Sequence, residues 1–159
     1  KQSCLFFLRT SLKQSSLFRR SLSSSSRDDV NITKAQLESW MADDDPLTLI
    51  DVREDWELEL GRIPGALHVP LAFVSPAFSQ LLNKETQHPA PDPDRLEDIV
   101  ESLQEAKATQ PPPAKIVFYC RSGVRAGSAT DQLRSQGVDN AFNYKGSFLE
   151  WFPDRFYST

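Results

Sequence analysis

An α/β fold with a mainly parallel sheet is what this sequence predicts, and three observations predict it. Short, nearly all-apolar runs at residues 47–52 and 115–120 have the pattern of strands buried on both faces. Amphipathic helical stretches separate such runs, so strand and helix alternate along the chain. The 159 residues, 39% hydrophobic and 25% charged, suit one domain with an additional segment and fall short of two full domains.

The additional segment is at the amino end. Residues 1–27 contain nine serines, the bases Lys1, Arg9, Lys13, Arg19, Arg20 and Arg27, and no acid, a charge of +6. All 22 acids fall in residues 28–159 beside 12 bases, which makes that part −10 and the whole chain −4. An acidic balance argues against a nucleic-acid partner. Leu5, Leu8, Leu12 and Phe18 recur at roughly helical spacing among the bases, the composition of a mitochondrial transit peptide. A disordered basic arm is the plainer alternative, whereas a secretory signal is disfavoured because Arg9 and Lys13 interrupt its apolar region. The expected organisation is thus a disordered transit peptide over 1–27 and one folded domain over 28–159, monomeric and in the mitochondrial matrix. No membrane partner is expected, since the longest apolar run, Cys4 to Leu8, stops at Arg9, far short of the ~18 residues of a span.

Along the domain, Thr33 is a candidate N-cap for a short helix whose Leu37, Trp40 and Met41 share a face, ended by Asp43, Asp44, Asp45 and Pro46. Residues 47–52 follow as a strand. Residues 53–60 read as an acidic helical turn, with Glu54, Asp55, Glu57 and Glu59 expected on a solvated face. Gly61, Pro64, Gly65 and Pro70 punctuate a tight connection and a short strand, in which His68 is expected to serve packing. A helix over 73–82 comes next. Pro89, Pro91, Pro93 and Pro111 to Pro113 make 83–114 a pair of stiff connectors around one helix, 95–108, with a Leu96, Ile99, Val100 and Leu103 stripe. The strongest strand signal is 115–120. It leads through a short loop to a helix over 126–136, with Ala129 and Leu133 inward and Gly137 at its stop. A strand over 140–144 and an aromatic helix over 147–152 close the domain.

Cys120 ends its strand where open α/β sheets bind ligands, at the carboxyl edge. Successive N–H groups of the loop Arg121, Ser122, Gly123, Val124, Arg125 and the start of the next helix form an anion nest that favours a thiolate. Arg121 and Arg125 add positive charge. An ordinary free thiol, with a pKa of ~8.5, is only about 3% thiolate at neutral pH, whereas lowering it by ~2 units makes it roughly three-quarters ionised, so a nest that does this needs no separate general base. A lone Cys is more commonly a buried small hydrophobe, but a core position has no use for two flanking arginines. With two cysteines, one of them in the basic segment, a disulfide scaffold is excluded. With only His68 and His88, neither a zinc site nor a Cys–His pair is supported, and neither metal nor cofactor is expected.

Four ordered motifs resemble the rhodanese family: Asp51-Val52-Arg53-Glu54; residues 61–70, from Gly61-Arg62-Ile63-Pro64 to Pro70; Cys120-Arg121-Ser122-Gly123-Val124-Arg125; and Tyr144-Lys145-Gly146-Ser147 before Trp151. The resemblance covers about residues 30–155 and implies a doubly wound sheet of about five parallel strands flanked by helices. It further implies ping-pong transfer of sulfane sulfur. Cys120 takes sulfur from thiosulfate or a similar donor as a persulfide and passes it to cyanide or a thiol, such as glutathione or a thioredoxin-like protein. The related phosphatases of this fold have a seven-residue loop; four residues between Cys120 and Arg125 make the six-residue loop of sulfurtransferases. A persulfide carrier or an interaction module serving a protein partner is the alternative. Arg62 replaces a common His, and Lys145-Gly146 replaces a Gly-Gly pair.

Supporting roles are expected for three more residues. Asp51 and Arg53 either help hold the active loop, as the resemblance implies, or form a strand-end structural pair. Trp151 either walls the Cys120 pocket or, like Trp40 and Trp56, is a core or rim aromatic. Of the two arginines, Arg121 is expected to capture the donor and Arg125 to brace the loop.

Overall fold

The computed structural model describes residues 30–157 except 44, 87–88 and 110–113. The expected transit peptide over 1–27, with Cys4, lies outside the described residues, as do His88 and Pro111 to Pro113. Five strands form one parallel sheet: β1 (Asn31–Ile32), β2 (Leu47–Asp51), β3 (Leu67–His68), β4 (Lys115–Tyr119) and β5 (Ala141–Tyr144), in spatial order β1-β5-β4-β2-β3. Five α-helices connect them: α1 (Lys34–Ala42), α2 (Leu71–Leu81), α3 (Pro93–Thr109), α4 (Val124–Ser135) and α5 (Ser147–Trp151). Single 3-10 segments occupy Asp55–Leu60 and Pro153–Tyr157.

The alternation of side chains across a strand explains why both faces are covered. On β4 and just beyond it, Phe118 and Cys120 point into a cluster with Val74 and Phe78 of α2, Ile99 and Leu103 of α3, and Ala129 and Leu133 of α4. Val117 and Tyr119 point the other way, to Leu37 of α1, with Trp40, Phe142 and Trp151 packed alongside. Each fully buried Leu, Ile or Phe in such clusters stabilises the fold by about 1.5–3 kcal/mol. The expected doubly wound arrangement is therefore present, with three helices on one face and two on the other.

Several elements form where local chemistry asks for them. Thr33 caps α1 in a capping box: its hydroxyl accepts from the Gln36 N–H at 3.3 Å, and the Gln36 side chain accepts from the Thr33 N–H at 2.9 Å. α3 carries the expected Leu96, Ile99, Val100 and Leu103 stripe, all buried. α2 starts at Leu71, two residues earlier than its apolar pattern suggests, directly after Pro70.

Other expectations fail for physical reasons. β1 is an element without a signal in the sequence: two residues long, it forms where Asn31 and Ile32 line up with Asn143 and Tyr144 of β5. Met41 is 36% exposed, because the nine-residue α1 buries Leu37 completely and leaves the rest of its apolar face partly open. Trp56 is 66% exposed rather than core or rim.

The site is positioned by the two central strands. β2 and β4 pair from Leu47 opposite Lys115 to Asp51 opposite Tyr119, so both end level at the same edge. The next residues, Val52 and Cys120, leave the sheet together, with the Val52 N–H donating to the Tyr119 carbonyl at 3.0 Å.

Candidate active site

Cys120 is the first residue past β4, is 1% exposed, and is a free thiol. Ser122 and Arg121 are exposed, and the chain then reverses into α4 through Gly123, which has φ 87°. That turn brings the Gly123 N–H to 3.1 Å from Cys120 Sγ, which accepts it. The sulfur therefore sits at the amino end of a twelve-residue helix, where unpaired N–H groups and the helix dipole favour negative charge. Glycine at 123 is required twice over. Its φ lies in the left-handed region, and a Cβ there would stand 2.2 Å from the Lys145 carbonyl oxygen.

On one flank the loop is held by charge. Glu57, in the 3-10 segment after β2, is 2% exposed and takes both terminal nitrogens of Arg125, at 2.6 and 2.7 Å. Burial pushes the Glu57 carboxyl upward. The Arg125 hydrogen bonds, the Glu54 N–H at 3.0 Å and the charges of Arg125 and Arg53 outweigh that and hold it below the usual carboxylate range. Arg125 is stabilised as a cation by Glu57 first, against its own desolvation, with further help from the charges of Cys120 and Glu54. The expectation that Glu57 belongs to a solvated face is thus wrong. Its neighbours Glu54, Asp55 and Glu59 are exposed as expected.

Asp51 and Arg53 stand one step behind. Arg53 is 1% exposed and donates through Nε and Nη2 to the Asp51 carboxylate, at 2.9 and 2.7 Å. Its remaining donors go to the carbonyls of Glu57 at 3.1 Å and Gly61 at 2.7 Å, which fastens the 3-10 segment at Glu57 itself and just past its end. Asp51 also accepts from the Tyr119 hydroxyl at 2.8 Å. Burial, then the Asp51 charge and hydrogen bond, keep that phenol protonated far above its ordinary range. Both readings of the Asp51–Arg53 pair therefore contain part of the arrangement: it is a buried strand-end pair, and it acts toward the loop through the Glu57 segment. His68 does more than pack, since its Nε2 lies 2.9 Å from the Arg53 carbonyl and its Nδ1 3.5 Å from Asp55.

On the opposite flank the loop is held by neutral groups of the β5–α5 connection. The Phe148 and Leu149 N–H groups donate to the carbonyls of Cys120 and Arg121, at 3.0 and 3.1 Å. The Ser147 hydroxyl accepts from the Cys120 N–H at 3.2 Å. Trp151 is a core aromatic and does not line the Cys120 side. It meets Tyr144 edge-on at 6.2 Å, with Lys34 Nζ 5.4 Å from its ring, in the cluster on the other face of the sheet.

The structure thus gathers Cys120, Gly123 and Arg125, leaves Arg121, Ser122 and Val124 exposed at the loop surface, and sets Trp151 apart. Glu57 and Ser147 are functional candidates that residue types did not single out. Glu57 is one of four acids in six residues, and only its partner 68 positions away distinguishes it. Ser147 was visible only as part of a motif.

A family model for the rhodanese-like domain matches residues 33–154. The thiosulfate:glutathione sulfurtransferase of Homo sapiens is 33% identical over 103 residues, 65% of this chain and 76% of that protein. The solved structure of the human single-domain sulfurtransferase TSTD1 aligns with a TM-score of 0.56 at 27% identity, covering 79% of this chain and 96% of that one. A tRNA uridine(34) hydroxylase of Synechococcus elongatus is 29% identical over 108 residues, 68% of this chain and 32% of that protein. Strand order, cysteine loop and matched span agree, and the chain belongs to the rhodanese-like family, with single-domain sulfurtransferases among its relatives.

Proposed function

We propose that this protein transfers sulfane sulfur from thiosulfate, or a similar donor, to a small thiol such as glutathione through a persulfide on Cys120. The Cys120 thiolate attacks the outer sulfur of thiosulfate; the donor S–S bond breaks and sulfite leaves with the electron pair. An acceptor thiolate then attacks the outer sulfur of the persulfide, and Cys120 departs as the thiolate it was. The two half-reactions balance without an external oxidant, metal or cofactor.

The observation that carries the reading is the Gly123 N–H at 3.1 Å from Cys120 Sγ, at the head of α4. The same donors that favour the thiolate can hold the terminal sulfur of a persulfide, and a six-residue loop is a tight fit for a tetrahedral phosphate. The test is mass spectrometry of the protein after incubation with thiosulfate. A gain of about 32 Da, one sulfur, on wild type and none on Cys120→Ser is expected. Unmodified wild type, or efficient phosphate-ester hydrolysis in its place, overturns the reading.

A second reading, a carrier loaded by a protein partner, is favoured by one feature. Trp56 and Val124, 66% and 74% exposed, are the sequence neighbours of the Glu57–Arg125 pair, so apolar surface flanks the loop. Loading from a persulfidated protein but not from thiosulfate selects it. Mitochondrial residence belongs to the same proposal, and a cytosolic signal from residues 1–27 fused to a fluorescent reporter refutes it.

A further inference from the structure

We infer that Ser147 is a positioning residue for Cys120: its hydroxyl sets the backbone from which the sulfur is aimed at the Gly123 N–H. The inference rests on the sulfur-transfer reading for its significance but not for its test.

Ser147 is completely buried and makes two hydrogen bonds of opposite sense. It donates to the Tyr144 carbonyl at 2.8 Å and accepts from the Cys120 N–H at 3.2 Å. The first bond orients the second, because with the hydroxyl proton committed to Tyr144 the oxygen lone pairs are left for Cys120. The Cys120 N–H belongs to the peptide plane before its Cα, and the Cys120 carbonyl, which accepts from Phe148, to the plane after it. Fixing both planes fixes φ and ψ of Cys120, and with them the direction of its Cα–Cβ bond and the staggered positions open to Sγ. Only one of these two anchors is a side chain, so only Ser147 is open to test by substitution.

The backbone of Ser147 supports this assignment. Its φ is 53°, in the left-handed region where glycine is the default and other residues are strained. Glycine at this position would relax the backbone. A serine at a strained position is explained if its hydroxyl is used, and both of its bonds run to the segments that meet at the site. The Cys120 N–H is engaged by Ser147, and the sulfur meets the N–H of Gly123, three residues on.

Two variants separate the hydroxyl from the backbone. Ser147→Ala keeps the φ penalty and removes the hydroxyl; Ser147→Gly removes both. The measurement is the rate constant for alkylation of Cys120 by iodoacetamide across pH 5–10, which does not depend on any sulfur donor, alongside thermal unfolding. With the hydroxyl as the aiming device, both variants react about tenfold more slowly than wild type at neutral pH and converge with it at high pH, the loss equivalent to one hydrogen bond. Ser147→Gly does so even where it is more stable than Ser147→Ala. In donor kinetics the same fold-loss is expected in kcat with KM for thiosulfate within about twofold. Variants that unfold earlier yet keep the wild-type alkylation profile reduce Ser147 to a structural residue and overturn the inference. If wild type fails to load sulfur at all, the function proposed above falls while the alkylation profiles still decide the role of Ser147.

Discussion

The Cys120 loop is held from two sides by different physics. On the β2 side a buried carboxylate grips Arg125, and a second buried pair, Asp51 and Arg53, fastens the segment carrying that carboxylate. On the β5 side the contacts are neutral: two N–H groups of α5, one serine hydroxyl, and the Lys145 carbonyl against Gly123. The ionic side acts on the far end of the loop, where the chain becomes helix. The neutral side acts on the cysteine itself and its nearest neighbours. A charged group next to the nucleophile compensates or competes with the thiolate, whereas N–H and O–H groups hold the backbone without adding a formal charge. The difference teaches that the loop's cations cannot be counted as free positive charge, since Arg125 is already neutralised by Glu57.

The largest effect expected from breaking either side is on the neutral one, at Gly123. Gly123→Ala places a Cβ against the Lys145 carbonyl and forces an alanine to φ 87°. A destabilisation of about 4 kcal/mol is expected from overpacking and backbone strain together. Sulfur loading is expected to be lost, because any relief moves the N–H that meets Cys120. Chemical denaturation and the thiosulfate mass shift check both, and a near-normal loop in this variant refutes the tight approach of the two segments.

Next comes the ionic pair, and here the two partners are unequal. Glu57 is nearly inaccessible at its side chain, 3% exposed, while that of Arg125 is 29% exposed. Arg125→Ala leaves a buried carboxylate without its partner and should cost about 3 kcal/mol, whereas Glu57→Gln leaves a cation that can reach water and should cost about 2 kcal/mol. The order of the two losses, read by urea denaturation, is the sharper prediction. The reverse order means that Arg125 is the more tightly enclosed partner in solution.

The same asymmetry sets the response to acid. Glu57 has its carboxyl lowered in the folded protein, so its contribution is complete above the unfolded carboxylate range. It is lost as pH falls through the lower folded value. Stability should therefore drop between pH 5 and pH 3 more steeply in wild type than in Glu57→Gln. The neutral contacts on the β5 side carry no such dependence. Parallel curves for the two proteins refute the assignment of this acid sensitivity to Glu57.

How much of this was legible in the residues follows from how local each feature is. Cys120, Gly123 and Arg125 lie within six positions of one another, and a strand before them and a helix after them say where the loop must be. The strands β2, β4 and β5 and the helix stripe of α3 were likewise carried by patterns within single segments, and β3 by the glycines and prolines around it, but β1 was not. Two residues have no period, and β1 forms by pairing with β5 more than a hundred positions later. Glu57 was illegible for the same reason, because its burial is decided by Arg125, and an acid among acids looks solvated. Trp151 kept two readings in the sequence, pocket wall or core aromatic, and the second holds, because its helix packs on the face of Tyr144.

The smallest effect tests how far the ionic side extends. Arg95 of α3 grips Asp55 through two bonds, at 2.6 and 2.8 Å, two residues before Glu57, so α3 touches the clamp. Asp55 is held below its usual range by the Arg95 hydrogen bond first, then, against slight desolvation, by the charges of Arg95 and His68. Yet the side chains are 34% and 64% exposed, and water and salt screen such a pair. Arg95→Ala should cost no more than about 0.5 kcal/mol, a loss that vanishes at 1 M salt, and should leave sulfur loading unchanged. A fall in loading without a comparable fall in stability means that α3 steers Glu57 through Asp55, and the ionic side of the loop then begins at α3 rather than at β2.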